Sequence, residues 1–484
     1  MPRRQPNGLS ETRARLRTIG RMLRLVDLRE RPATSRADIA ELLPRAVLDS
    51  SQVAAVVRPI LADVAARGTA AVLGWGQRLD GVAPPSLRVP ASVIAAAEAA
   101  LPDELRNALA EMITRTRLVH LSQLPASHTV VVSPGGSVTQ RWIPVQRVGL
   151  YVPGGRAVYP SSVVMNVVPA QVAGVSSIAI TSPPRPDNDG WPHPTILAAA
   201  RMLGVDEVYA AGGAQAIAMF AYGAGDGADG DSAAGIRDDP NACAPVDVVT
   251  GPGNQYVAAA KRILQGKIGI DSDAGPTEIA ILADETADAR LVAADLVSQA
   301  EHDPLAAAVL ITPCVELIEA VNRELAAQVA RAEHRDRISA GLSGQQSAAV
   351  LVVDLDQGIA VANDYAAEHL EIQTSEPAEV VARITNAGAI FVGPCSPVPL
   401  GDYLAGSNHV LPTAATARFS SGLSVDTFLR RVQVIEYNAD ALRAVRGLVS
   451  ELARAEDLPA HAVSVDVRFD ARFDERFDAR FDEP

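Results

Sequence analysis

From Arg147 onward the chain falls into a repeating rhythm. Short apolar runs at 148–152, 178–181, 207–210 and 246–250 alternate with helical periodicity near 161–172, 195–203, 214–222 and 255–264. Runs of that length read as strands, and their alternation with helices predicts βαβ units around a mostly parallel sheet. The rhythm then returns, with runs at 278–282, 308–312, 348–353 and 389–392 separated by helices near 287–301, 315–332, 357–366 and 377–385. The residues after Met22 read as helices with little chemistry, including 51–67 and 91–117. The expected fold is α/β: two related domains with parallel-rich sheets facing a cleft, plus small helical N- and C-terminal segments.

The ends differ from the middle, and the boundaries of the tail and of the two-part α/β domain rest also on the resemblance given below. An Arg-rich extension spans 1–21 and a helical segment 22–50. One α/β domain combines 51–150 with 277–423, a second covers 151–276, and a tail domain occupies 424–467. A terminal extension over 468–484 repeats Arg-Phe-Asp. Residues 1–24 carry seven arginines against one acid, Glu11, as a transit peptide does, but Met22 opens a sensible start and the preceding residues read as an accessory extension. On a helix the repeat would stack Phe469, Phe473, Phe477 and Phe481; its low complexity predicts a disordered appendage instead.

Composition narrows the class. At 484 residues the chain is too long for one ordinary core. No uncharged apolar run approaches the ~18 residues of a membrane helix. A formal charge of −14 argues against nucleic acid, whose phosphates call for basic patches. Three scattered cysteines, Cys243, Cys314 and Cys395, suit a reducing cytoplasm better than a disulfide framework, and neither Cys314 nor Cys395 has a base nearby in sequence.

Glycine-rich turns close the strands of the first block: Tyr151-Val-Pro-Gly-Gly, Gly212-Gly-Ala-Gln and Gly251-Pro-Gly-Asn. Strand carboxyl ends are where open α/β sheets bind ligands, and glycine lets the main chain approach a phosphate. A nucleotide cofactor is one reading and tight βα turns are the other, since no G-x-G-x-x-G is present. The Asp/Gly-rich stretch between Tyr222 and Pro245 misses the EF-hand spacing and reads as a surface loop.

Three of the chain's 8 histidines sit beside acids or amides. Gln299 and His302, three apart at a helix carboxyl end, project from one face, the spacing two ligands of one metal need; a polar helix end has it too. Asp402 and His409 flank a loop with Gly406, which either folds both inward or is an Asx-held turn. Together they offer imidazole and oxygen donors suited to zinc or another first-row divalent metal. Glu368-His369 sets a carboxylate beside an imidazole, a candidate acid/base pair whose ordinary alternative is an exposed helix end.

Taken together, the motifs resemble the histidinol dehydrogenase family from about Met22 to Arg468. They are Tyr151-Val-Pro-Gly-Gly, Gly212-Gly-Ala-Gln-Ala-Ile, Gly251-Pro-Gly-Asn, Ile270-Asp-Ser-Asp-Ala-Gly-Pro-Thr-Glu278, Ser298-Gln-Ala-Glu-His302, Tyr365-Ala-Ala-Glu-His-Leu370, Gly401-Asp-Tyr-Leu-Ala-Gly-Ser-Asn-His-Val-Leu-Pro-Thr413 and Ala455-Glu-Asp-Leu-Pro-Ala-His461. The resemblance implies Rossmann-like domains and a cytoplasmic oxidoreductase of histidine biosynthesis. That enzyme takes L-histidinol through L-histidinal to L-histidine with two NAD in succession. It implies Gln299, His302, Asp402 and His461 as zinc ligands, His369 as general base and Glu368 as the group that activates water. Thr277, His409 and Glu456 match further substrate contacts, with Thr277 replacing a common serine, and Tyr151, Gln215 and Asn254 match NAD contacts. The domain 151–276 then holds NAD and the other the metal and the base.

A homodimer with exchanged tails is also implied, Glu456 and His461 completing the partner's site. This chain departs from the family in its terminal repeat, in the longer insert before Gly251, and in Cys395 where tryptophan is common. Two alternatives are a paralogous zinc/NAD alcohol dehydrogenase acting on another substrate, such as a sulfonated diol, and a non-catalytic assembly partner. Glu456 and His461 count against the first, and the complete ligand and acid/base set against the second.

Overall fold

The computed structural model describes residues 22–31, 35–45, 50–154, 158–225, 242–272 and 275–469. The expectations for the extension 1–21, most of the Asp/Gly-rich insert and the repeat beyond Phe469 lie outside the described residues. By internal packing the chain forms two units: Met1–Leu124 with Val145–Phe428, and Pro125–Pro144 with Leu429–Pro484.

Numbered along the chain, the strands are β1 (Arg24–Asp27), β2 (His128–Ser133), β3 (Gly136–Pro144), β4 (Arg147–Tyr151), β5 (Ser177–Ser182), β6 (Val208–Ala210), β7 (Val248–Thr250), β8 (Gly269–Ile270), β9 (Glu278–Ala283), β10 (Ala307–Thr312), β11 (Ala348–Leu351), β12 (His369–Gln373), β13 (Ala389–Val392) and β14 (Leu429–Tyr437). The first unit holds two sheets, a five-stranded one ordered β6-β5-β4-β7-β8 and a six-stranded one ordered β1-β11-β10-β9-β12-β13. Every pairing in both is parallel.

Helices cover both faces of the six-stranded sheet, which is why its central strands β9, β10 and β11 are largely apolar. Ile279, Ile281 and Leu310 pack with Leu296, Val321 and Leu325 on one face. Their neighbours Ala280, Leu282, Val309 and Ile311 pack with Ile359 and Val361 on the other. In the five-stranded sheet the chain runs from β4 outward to β6 and crosses back to β7. In the six-stranded sheet it runs from β9 outward to β11 and crosses back to β12. Each reversal opens a crevice between two neighbouring strands.

Three expectations need correction. The segment after Met22 is not purely helical: β1 pairs with β11, with Arg24 opposite Ala348. Glu368 and His369 do not end an exposed helix; helix Leu355–Tyr365 stops at Ala366, whose φ is +50°, and a buried strand, β12, starts at His369. Residues 128–144 are a hairpin, β2–β3, that pairs antiparallel with β14 and so belongs with the tail.

Candidate active site

Helix Ala289–Ala300 connects β9 to the parallel strand β10, so it must run back and end at the sheet's amino edge. It starts at Asp288, whose carboxylate caps the Arg290 amide at 2.8 Å. Its end brings Gln299 to the edge where β9 and β12 begin, with His369 in register with Ile279. Five of the expected site residues meet there or close by: Thr277, Gln299, His302, Glu368 and His369.

The contacts are specific. Gln299 Nε2 donates to Thr277 Oγ1 at 2.6 Å, and Thr277 passes its hydroxyl hydrogen to Glu368 Oε2 at 2.6 Å. The Glu278 amide donates to the same oxygen at 2.9 Å. His369 Nδ1 lies 3.0 Å from the Glu278 carbonyl oxygen. A carbonyl only accepts, so Nδ1 carries the hydrogen and Nε2 keeps its lone pair. Phe391 lies 5.9 Å from the His369 ring, centroid to centroid. Gly388 must be small: a Cβ there would sit 2.5 Å from the Glu368 carbonyl oxygen.

Burial sets the electrostatics. Desolvation pushes the Glu368 carboxyl up to about 7, against the opposing pull of His369 and the Thr277 and Glu278 hydrogen bonds. His302 and His409 are held below their ordinary value, first by desolvation, although nearby Asp402 favours their charged forms. His302 is nonetheless exposed by surface area, so the protein around its ring crowds it without sealing it. Asp402 ends in helix Val398–Tyr403, and its carbonyl lies 3.1 Å from His409 Nδ1, closing the loop between them. His302, His369 and Asp402 all act electrostatically on His409, so the four groups share one site.

One buried atom there lacks a partner. Gln299 is 2% exposed and its Oε1 takes no hydrogen bond. A buried amide oxygen without a donor is costly unless a cation or other ligand meets it. Among the described residues no three histidine, cysteine, aspartate or glutamate side chains converge to hold a metal. Of the four expected ligands, Gln299 is an amide and His461 belongs to the other unit. Glu456 ends helix Ala439–Ala455 there and His461 lies in helix Pro459–Asp466, both exposed.

The expected cofactor residues lie at the carboxyl edge of the five-stranded sheet. Tyr151 ends β4, and its hydroxyl accepts the Gly213 amide at 3.2 Å. Gln215 is fully buried, with its Oε1 unpartnered and its Nε2 3.5 Å from Asp80. Asn254 is exposed and caps helix Gln255–Leu264 through the Tyr256 and Val257 amides. Gly251 lies at the β4/β7 reversal with φ +113°, and a Cβ on it would come within 2.0 Å of the Tyr151 carbonyl. The buried pair Lys261–Asp271 braces it: Asp271 accepts the Gly251 amide at 2.7 Å and Lys261 donates to its carbonyl at 3.1 Å. This pair, with Asp80, is what reading the sequence missed. The Asp271 motif was visible, but its partner lies a helix away.

The two edges touch. Ser162, in the first turn of helix Pro160–Ala173 after β4, has its Oγ 3.3 Å from His409 Nε2, and Asn408 donates to the Met165 carbonyl at 2.7 Å.

The profile of the histidinol dehydrogenase family matches residues 43–469. Histidinol dehydrogenase of Thermobifida fusca (strain YX) is 58% identical over 443 residues, covering 92% of this chain and 97% of that protein. That of Mycobacterium tuberculosis (strain ATCC 25618 / H37Rv) is 57% identical over 448 residues, covering 93% and 98%. In three dimensions the chain is similar to the crystal structure of histidinol dehydrogenase from Elizabethkingia anophelis, with TM-score 0.83 and 29% identity over 93% of this chain and 98% of that one.

Proposed function

The chain belongs to the histidinol dehydrogenase family, and on that premise we propose that it oxidises L-histidinol through L-histidinal to L-histidine, reducing two NAD in succession at one zinc-holding site. The observation that carries the reading is the buried pair Glu368–His369, one group shifted to near neutrality and the other fixed in one tautomer. Bound zinc supplies a Lewis acid for the substrate hydroxyl, and NAD supplies the hydride acceptor. The unpartnered Gln299 Oε1, with His302 three residues on and Asp402 close enough to act on that histidine, supports the fit of the metal.

His369 Nε2 takes the hydroxyl proton as the carbinol hydrogen leaves with its electron pair, giving the aldehyde. The proton held on His369 returns to the carbonyl oxygen as Glu368 removes a proton from the water that adds to the carbonyl carbon, and its position near neutrality suits that task. His369 takes the proton of the resulting hydrate as the second hydride leaves, giving the carboxylic acid. Thr277 keeps Glu368 in register with Gln299, and His409 orients the substrate beside Asp402. Tyr151, Gln215 and Asn254 receive NAD.

The protein works as a cytoplasmic homodimer in which Glu456 and His461 complete the partner's site. No described helix is long and apolar enough to cross a membrane.

Counting NADH per L-histidinol consumed tests the reaction. Two NADH, lost on chelation and regained with zinc, are expected; no turnover in zinc-loaded dimer would sink the reading and point to another alcohol such as a sulfonated diol. Mixing His369→Asn and His461→Ala protomers tests the tail exchange. With exchanged tails one site of the mixed dimer carries neither lesion and activity returns; without exchange every site is damaged and none returns.

A further inference from the structure

Glu278, the first residue of β9, meets the acid/base pair through its main chain and the rest of the unit through its side chain. Its amide holds Glu368 Oε2 at 2.9 Å and its carbonyl holds His369 Nδ1 at 3.0 Å. Its carboxylate is gripped by Arg45, Nε to Oε1 at 2.7 Å and Nη2 to Oε2 at 3.0 Å. Oε1 also accepts the Ala414 amide at 2.7 Å, in the loop that carries His409. Arg45 is itself fixed, with its guanidinium 4.2 Å over the Tyr365 ring and donating to the Tyr365 carbonyl.

The Glu278 side chain is 3% exposed, so its charge is tolerable only because a planar two-pronged partner and a main-chain donor satisfy it. We propose that Arg45 and Glu278 form a positioning latch for the acid/base pair. The ion pair fixes the main chain of Glu278, and that main chain fixes the carboxylate of Glu368 and the tautomer of His369. The same latch ties the 409–414 loop to the start of β9, so one ion pair registers the base, the water-activating acid and a substrate contact. Arg45 touches no reacting atom. Its effect passes through Glu278, and it rests on the roles given above to Glu368 and His369.

Arg45→Met and Arg45→Lys in the full-length, zinc-loaded dimer test the latch. Arg45→Met loses about a hundredfold in kcat for both half-reactions, the size expected when reacting groups shift by about an ångström, while KM for NAD stays put. Nitrogen-15 NMR of histidine-labelled protein finds His369 as a mixture of tautomers in place of the single Nδ1–H form. Lysine keeps the charge without the fork and falls between wild type and Arg45→Met; guanidinium in the buffer restores part of the Arg45→Met loss. A folded Arg45→Met protein with wild-type kcat and one tautomer would overturn the latch. Should that variant not fold, the same outcome in Arg45→Lys would overturn it. The tautomer is read without turnover, so a wild-type protein inert toward histidinol would refute the proposed reaction and leave the latch standing.

Discussion

The two parallel sheets of the first unit make their functional edges from different material. At the carboxyl edge of the five-stranded sheet the groups are largely main chain and glycine, where Gly251 and Gly213 leave room that any side chain would fill. At the amino edge of the six-stranded sheet they are titratable side chains: Glu368 and His369 are 6% and 5% exposed. A phosphate-bearing cofactor is recognised by close approach of amides, which requires side chains to be absent. Proton transfer requires desolvated groups shifted toward neutrality, which requires them to be buried. On the proposed reading, the rule that ligands gather at strand carboxyl ends therefore describes one sheet and fails for the other, where a returning helix and two strand beginnings converge.

The sharpest way to break this division is His369→Asn. Both oxidations fall about a thousandfold, within the usual span of general base catalysis, while NAD binding followed by fluorescence is unchanged. A matching loss of NAD affinity would mean the edges do not divide the work. Glu368→Gln comes next: histidinal oxidation drops about a hundredfold and histidinol-to-histidinal conversion much less. Equal losses in the two half-reactions would remove the separate role of the acid.

Gly251→Ala probes the other edge. Its positive φ and the crowding at Tyr151 cost on the order of 1–3 kcal/mol, and KM for NAD rises about tenfold, the worth of ~1.4 kcal/mol. Zinc content by metal analysis stays at the wild-type level. An unchanged KM for NAD would move the cofactor away from the β4/β7 crevice.

Smallest is a pH effect just behind His369. Glu371 lies two residues along β12 from His369, fully buried, and burial followed by repulsion from Asp295 pushes its carboxyl up to about 8. The folded chain thus holds a proton that the unfolded chain, with an ordinary value of about 4.3, gives up. The stability from this group is complete below about pH 4.3 and is lost as pH rises through about 8. Glu368 adds to the same slope up to about 7. Glu371→Gln flattens the fall and gains a few degrees of Tm at pH 8 in thermal scans. An unaltered slope would place the titration elsewhere.

Much of this was legible in order along the chain. The apolar runs of β4 to β7 and β9 to β11 announce themselves because burial on both faces leaves few polar positions, most of them at strand ends. The strand that carries His369 does not. His-Leu-Glu-Ile-Gln alternates as a half-exposed strand does, yet all five residues are buried, and Glu371 on its polar face meets Asp295 from helix Ala289–Ala300. The helix before it ends at Ala366 without the glycine or proline that would mark a stop. β1 and the hairpin of β2 and β3 stayed hidden because their partners, β11 and β14, lie about 300 residues away. Arg45 carries no local sign of importance, as its partner Glu278 is 233 positions on.

That separation has a consequence for the order in which the molecule is made. The five-stranded sheet is one continuous piece of chain from Arg147 to Ile270, and can close as soon as that piece has left the ribosome. The six-stranded sheet begins with β1 and must wait for β9 through β13, and Arg45 waits longer still for Ala414 to complete the grip on Glu278. A chain emerging from amino to carboxyl end thus completes its five-stranded sheet before the surroundings of Glu368 and His369. A product cut short of Ala414 lacks one of the contacts to Glu278, and with it part of the proposed latch.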